Sequence, residues 1–184
     1  MTAALGESVE LLERALAYTS GRLAQVHEQQ LGRRTPCGQW RLGDLLAHME
    51  DALDAFTEAA GGDVQVHPPV DVAVRLAVIR SKACDLLGAW RGPGPGDVLV
   101  GGLDVPSPLL VATAALEVTV HGWDVGQAVG AGSDIPDGLA AALLPVAWDT
   151  VTAADRGVRF ADACPVPPGA RDGQRLLAHL GRRT

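Results

Sequence analysis

Several things are scarce in this chain, and each shortage narrows the reading. Only three cysteines occur, Cys37, Cys84 and Cys164, scattered and without a C-x-x-C pair. That is too few for a disulfide framework, and structural thiols in a reducing compartment are expected. No basic run is present and the net charge is −7, which argues against nucleic-acid binding. No apolar stretch reaches the roughly 18 residues of a membrane span. Residues 1–16 carry Glu7, Glu10 and Glu13 within their apolar pattern, unlike a signal peptide. The expectation is a soluble, cytoplasmic protein with no membrane or nucleic-acid partner. What remains is ordinary globular material. The chain has 184 residues, 47% of them hydrophobic, enough for a single domain over 1–184 with a substantial core.

Helical periodicity dominates, and convincing strand alternation is absent. Leu5, Val9, Leu12, Leu16, Leu23 and Val26 predict a helix over about 4–31. Pro36 and Gly38 interrupt the pattern in the connection 33–40. A second helix is expected over about 41–60, with Leu42, Leu45, Leu46, Met49, Leu53 and Phe56 as its stripe and Asp51, Asp54 and Glu58 facing away. Gly61-Gly62 ends it. After a Pro68-Pro69 loop, a third helix is expected over about 71–91. Gly92-Pro93-Gly94-Pro95-Gly96 opens the strongest break, in which Val98–Val100 has room for a short extended piece. A fourth long helix is expected over about 107–130, and shorter ones over about 136–152 and 172–181. Residues 154–170 read as irregular. Four long amphipathic helices plus short C-terminal ones make an all-α bundle, a usual place to build metal sites from facing helices.

Three residues carry the chemistry. Glu117 and His121 are four apart, one turn on one helical face. They share a stripe with Leu110, Ala114, Asp124 and Ala128, whose small alanines leave room for water or substrate. His48 lies beside the apolar stripe of the second helix. Two imidazoles and a carboxylate are a common ligand set for a catalytic divalent metal, leaving open positions for water or a thiol. Spacing alone leaves a second interpretation open, in which the three are hydrogen-bonded polar residues at the edge of a core.

The remaining candidates are weighed the same way. Cys37 is expected to pack a turn rather than to react. Trp40 is expected to pack, and Trp123 is open between packing and lining a pocket. His27, His67 and His179 are expected to be exposed. Arg182 and Arg183 would reach an anionic substrate if the tail folded over the site, but a solvated terminus is the expectation.

Two segments resemble a known family. Thr35-Pro36-Cys37 through Trp40 and Leu45 to His48 resembles its T-P-C-x-x-W-x-x-x-x-L-x-x-H signature. Glu117 to Asp124 resembles its E-x-x-x-H-x-W-D signature. The tail Gln174–Arg183 resembles the end of short stand-alone members. The family is the DinB-like metal-binding proteins related to the N-terminal domain of mycothiol-dependent maleylpyruvate isomerase. The resemblance implies a DinB-like four-helix bundle holding a divalent metal through His48, Glu117 and His121. Zinc is the usual ion, and Ni, Fe or Mn suit the same donors. It implies mycothiol as a cosubstrate bound to the metal through sulfur, and a catalytic place for Asp124 near the thiol. The isomerase has a larger C-terminal domain that helps close its site, so maleylpyruvate isomerisation itself is not expected here.

The leading expectation is therefore a metal-dependent enzyme, transferase- or isomerase-like, that activates a low-molecular-weight thiol against a small electrophile. A hydrolase or lyase using metal-activated water is the first rival. A non-catalytic metal-binding bundle is the second, and it predicts either a fourth position capped by a protein side chain or a site without an adjoining pocket. A homodimer is compatible with any of the three.

Overall fold

The computed structural model describes residues 3–62, 72–92, 94–132 and 134–184. Four long helices, α1 (Ala3–Leu23), α2 (Leu42–Ala59), α3 (Val72–Trp90) and α4 (Ser107–Val129), form an all-α bundle. α1 packs on α4 and α3, and α2 on α3 and α4. Two shorter helices, α5 (Asp137–Thr150) and α6 (Asp172–His179), complete it. α5 covers α4, and α6 covers α5. Among the described residues, no helix is long and apolar enough to cross a membrane. His67 and most of the Pro68-Pro69 loop fall outside the described residues.

The break before α4 holds a small hairpin that the alternation pattern did not reveal. β1 (Asp97–Val100) pairs antiparallel with β2 (Leu103–Pro106). The turn is Gly101-Gly102, with φ of 58° and 86°. Two consecutive left-handed residues are what a two-residue hairpin turn requires, and glycine adopts them without strain.

The first helix is shorter than its apolar spacing predicts. It ends at Leu23, and the chain turns through a 3₁₀ segment at Glu28–Gln30. The reason lies across the bundle. Arg33 Nη1 donates to the carbonyls of Ala128 and Val129 at 3.3 and 3.1 Å, and Arg22 donates to Ala131 at 3.2 Å. These are carbonyls at and just beyond the end of α4, where cationic donors are favoured by the helix dipole. Continuing α1 to residue 31 would carry Arg33 away from them. Val26 is still buried, but from the turn.

α2 and α3 are joined by charge as well as by apolar contact. Glu50 is only 2% exposed, yet lies 2.9 Å from Arg75 and 3.1 Å from Lys82. Asp54, expected to face away, turns to Lys82 at 2.5 Å. A buried carboxylate persists only where such partners satisfy it.

α4 is the central element. Seventeen of its residues are buried, on every face, as befits a helix packed between α1 and α2 on one side and α5 on the other. Its approach to α1 depends on Gly122. A Cβ placed there would overlap the hydroxyl and β-carbon of Thr19. Thr19 uses that hydroxyl to donate to the Val118 carbonyl at 2.8 Å. Gly122→Ala is expected to cost about 1–3 kcal/mol by overpacking. Urea denaturation measures this, and adding Thr19→Ala should restore part of the loss. An unchanged midpoint in the single variant would show that the helices move apart freely.

Candidate metal centre

The trio converges. His48 arrives from α2, one turn beyond the buried Leu45, while Glu117 and His121 share a face of α4. His48 Nε2 lies 2.6 Å from Glu117 Oε1, and His121 Nε2 lies 3.0 Å from the same oxygen. The two imidazole rings meet edge to face, with centroids 5.0 Å apart. One donor atom from each residue falls within 4.8 Å of the others. The side chains of His48 and Glu117 remain 36% and 30% exposed, so small molecules can reach them.

Behind this face the site is closed by charge. His121 Nδ1 donates to Asp124 Oδ2 at 3.1 Å, leaving Nε2 toward Glu117. Asp124 is fully buried and accepts a second bond from Arg182 Nη2 at 2.9 Å. Arg182 is itself only 7% exposed, so the solvated terminus expected from the sequence is corrected. The tail is turned inward by a helix-ending motif. Gly181 adopts φ 75°, Gly181 N–H donates to Ala178 and Arg182 N–H donates to Leu177. This is the pairing of a Schellman cap, in which glycine supplies the left-handed residue. A glycine directly after a helical stripe was the available signal for it. His179 is also not free, since its Nε2 lies 3.1 Å from the Ala147 carbonyl.

The connection 33–41 forms a lip over the trio. Thr35 ties it shut, its N–H and hydroxyl both donating to the Trp40 carbonyl at 3.1 and 2.9 Å. Arg41 N–H donates to the Asp44 carboxylate at 3.0 Å, starting α2. Trp40 is thereby held against His48, ring centroids 4.7 Å apart, and stays 37% exposed. The expectation that it packs in the core is corrected: it borders the site. Trp123 is the core residue, 4% exposed. Cys37 belongs to a second group with His121 and Asp124, whose donor atoms also lie within 4.8 Å. Burial pushes its thiol up to about 11, with Arg182 opposing and the Asp124 and Glu117 charges adding. A thiol so raised is not a nucleophile near neutral pH.

The electrostatics of the pair on α4 follow from its burial and its partners. Burial alone would favour neutral forms. The Glu117 carboxylate overrides this for His121, with help from Asp124, and raises it to about 9. Burial likewise opposes ionisation of Glu117, but the charge and hydrogen bonds of His121, then those of His48, hold it well below the usual carboxylate range. Three anion-and-imidazole donors pressed together in this way are the chemistry that a divalent cation satisfies.

A family model of the mycothiol maleylpyruvate isomerase N-terminal domain matches residues 12–126, which include all three trio members and Asp124. The chain belongs to this family. Two uncharacterized proteins of Mycobacterium tuberculosis, from strains CDC 1551 / Oshkosh and ATCC 25618 / H37Rv, are 29% identical over 176 residues. Those alignments cover 92% of this chain and 94% of each relative. The crystal structure of the mycothiol-dependent maleylpyruvate isomerase superposes with a TM-score of 0.61 at 19% identity. It covers 80% of this chain and 70% of that one, and a histidine-to-alanine mutant of the isomerase gives the same values. The likeness shows that the DinB-like bundle is shared.

The raised His121 has a consequence in the metal-free protein. Its folded value lies above its ordinary value of 6.5. The stability it contributes is therefore fully present below about pH 6.5 and lost as pH rises through about 9. Urea denaturation of metal-free protein should show that decline, and Glu117→Gln should flatten it. A decline of equal size in the variant would place its origin elsewhere.

Proposed function

We propose that this chain is a divalent-metal-dependent enzyme that activates a low-molecular-weight thiol of the mycothiol kind. The thiol would attack a small electrophile in an S-transfer or isomerisation reaction. The observation that carries this reading is the meeting of two imidazole Nε2 atoms on one carboxylate oxygen at a solvent-accessible face. Membership of the mycothiol maleylpyruvate isomerase N-terminal domain family supports the thiol.

In this reading His48, Glu117 and His121 hold the ion, with zinc the first candidate. A bound divalent cation would supply an open position at which a thiol sulfur is favoured as thiolate. Asp124 is a positioning residue. Fully buried and bonded to both His121 and Arg182, it keeps the Nδ1 proton in place and Nε2 free to bind. Arg182 neutralises that buried carboxylate. Trp40 forms the wall against which the thiol's carbon skeleton rests. Burial favours the protonated thiol of Cys37 in the metal-free chain.

The rival in which water replaces the thiol uses the same ligands, and the product distinguishes them by carrying sulfur or oxygen. The non-catalytic rival predicts a capped fourth position or no adjoining pocket, and the cavity of about 350 Å³ bordered by Glu117 and His121 counts against the second of these.

Purified protein is expected to carry about one divalent ion per chain, and His121→Ala to lose it. Elemental analysis reads both, and unchanged metal in the variant would sink the ligand assignment. Asp124→Asn should retain the ion about 10–100-fold less tightly. Calorimetry of metal-loaded protein with mycothiol tests the thiol separately, and no heat at millimolar thiol would remove it from the proposal.

A further inference from the structure

The cavity beside the trio differs in character from the trio itself. It is enclosed by α1, α2, α3 and α4, and Glu117 and His121 form part of its wall. The rest of the wall is mainly aliphatic, with Leu16, Met49, Leu53, Ile79, Ala83 and Leu87 facing inward from three helices. Apart from the two trio members, the charged side chains on its lining are Glu13 and Arg80, one of each sign and both exposed. Cys84, also exposed, borders it as well. The cavity therefore opens to solvent past polar groups and runs inward to the trio along hydrocarbon.

This lining selects its occupant. A dianion such as maleylpyruvate would meet no excess of positive charge on these walls and would lose its hydration there. A hydroxyl-rich thiol of the mycothiol kind would leave its polar groups unpaired against leucine and isoleucine. An uncharged hydrocarbon chain gains from the same walls, and about 350 Å³ is within the range of small-molecule sites. We infer that the cavity is the substrate's hydrocarbon subsite. The electrophile is a small molecule carrying an uncharged aliphatic chain, held with its reactive carbon toward Glu117 and His121. The thiol then occupies the opposite, Trp40 side of the trio. This rests on the thiol-enzyme reading for the reaction, but the subsite itself is a property of the bundle.

The test uses the full-length, metal-free chain, so that a failure of metal or thiol binding leaves it unaffected. A series of straight 1-alkanols from butanol to decanol is titrated by displacement of an apolar fluorescent dye. Affinity is expected to rise about threefold to fourfold with each added methylene until the cavity is full. Ala83→Trp from α3 and Ser20→Leu from α1 narrow the cavity from two walls, and each should shorten the chain length at which the rise stops. Should a variant not fold, Cys84 provides a reading in the unaltered protein: decanol should slow its alkylation by iodoacetamide several-fold, and butanol should not. Affinity independent of chain length would overturn the inference. So would a rise unchanged in a folded narrowing variant, or alkylation of Cys84 indifferent to decanol.

Discussion

A helix buried on every side must satisfy each polar group it carries from within the protein. That constraint governs α4, and the rest of the molecule is arranged around meeting it. Thr119 returns its hydroxyl to the Ala115 carbonyl within its own helix. The end of the helix is met by Arg22 from the last turn of α1 and Arg33 from the segment after it. Asp124 is met by Arg182 from the far end of the chain, and His121 by Asp124 and Glu117. Glu117, with His48 of α2 beside it, is left partly open to solvent. The reactive face is thus a place where the polar contents of a core helix reach the outside.

The same arrangement explains why the site has two unlike sides. Behind His121, a carboxylate and a guanidinium cancel each other and fix the imidazole. Beside Glu117 and His121, the four helices stand far enough apart to leave an aliphatic cavity. Gly122 permits α1 and α4 to touch just beyond that cavity, next to His121. The tight contact sets the position of the ring, and the gap nearby sets what can approach it. Stability and access are therefore decided within a single turn of helix.

Much of this could be read from the residue order. The helical stripes located α2, α3 and α4 to within a few residues, because burial of one face repeats every turn. Glu117 and His121 were legible as a pair for the same reason, being one turn apart on one helix. The break at Gly92–Gly96 was legible too, although the hairpin inside it was not. A four-residue strand offers too little alternation to see, and Val98 is the buried member among exposed neighbours. The early end of α1 was hidden because Val26 keeps the apolar spacing while leaving the helix. Trp40 was misjudged because a large aromatic usually packs inward. Here a turn tied by Thr35 holds it against His48 instead.

The sequence by itself determined an all-α bundle, the identity of the trio as metal-type donors, and the family to which the chain belongs. These are local properties, set by side-chain chemistry and by the period of the helix. Only the tertiary structure decided that His48 Nε2 and His121 Nε2 share one oxygen, that Arg182 returns from the chain end to neutralise Asp124, and that an aliphatic cavity opens beside them. Each depends on contacts between segments far apart in the chain. Burial changes the energetic standing of every charge it encloses, so the charges that meet there are set by the packing of the helices and not by their spacing along the sequence.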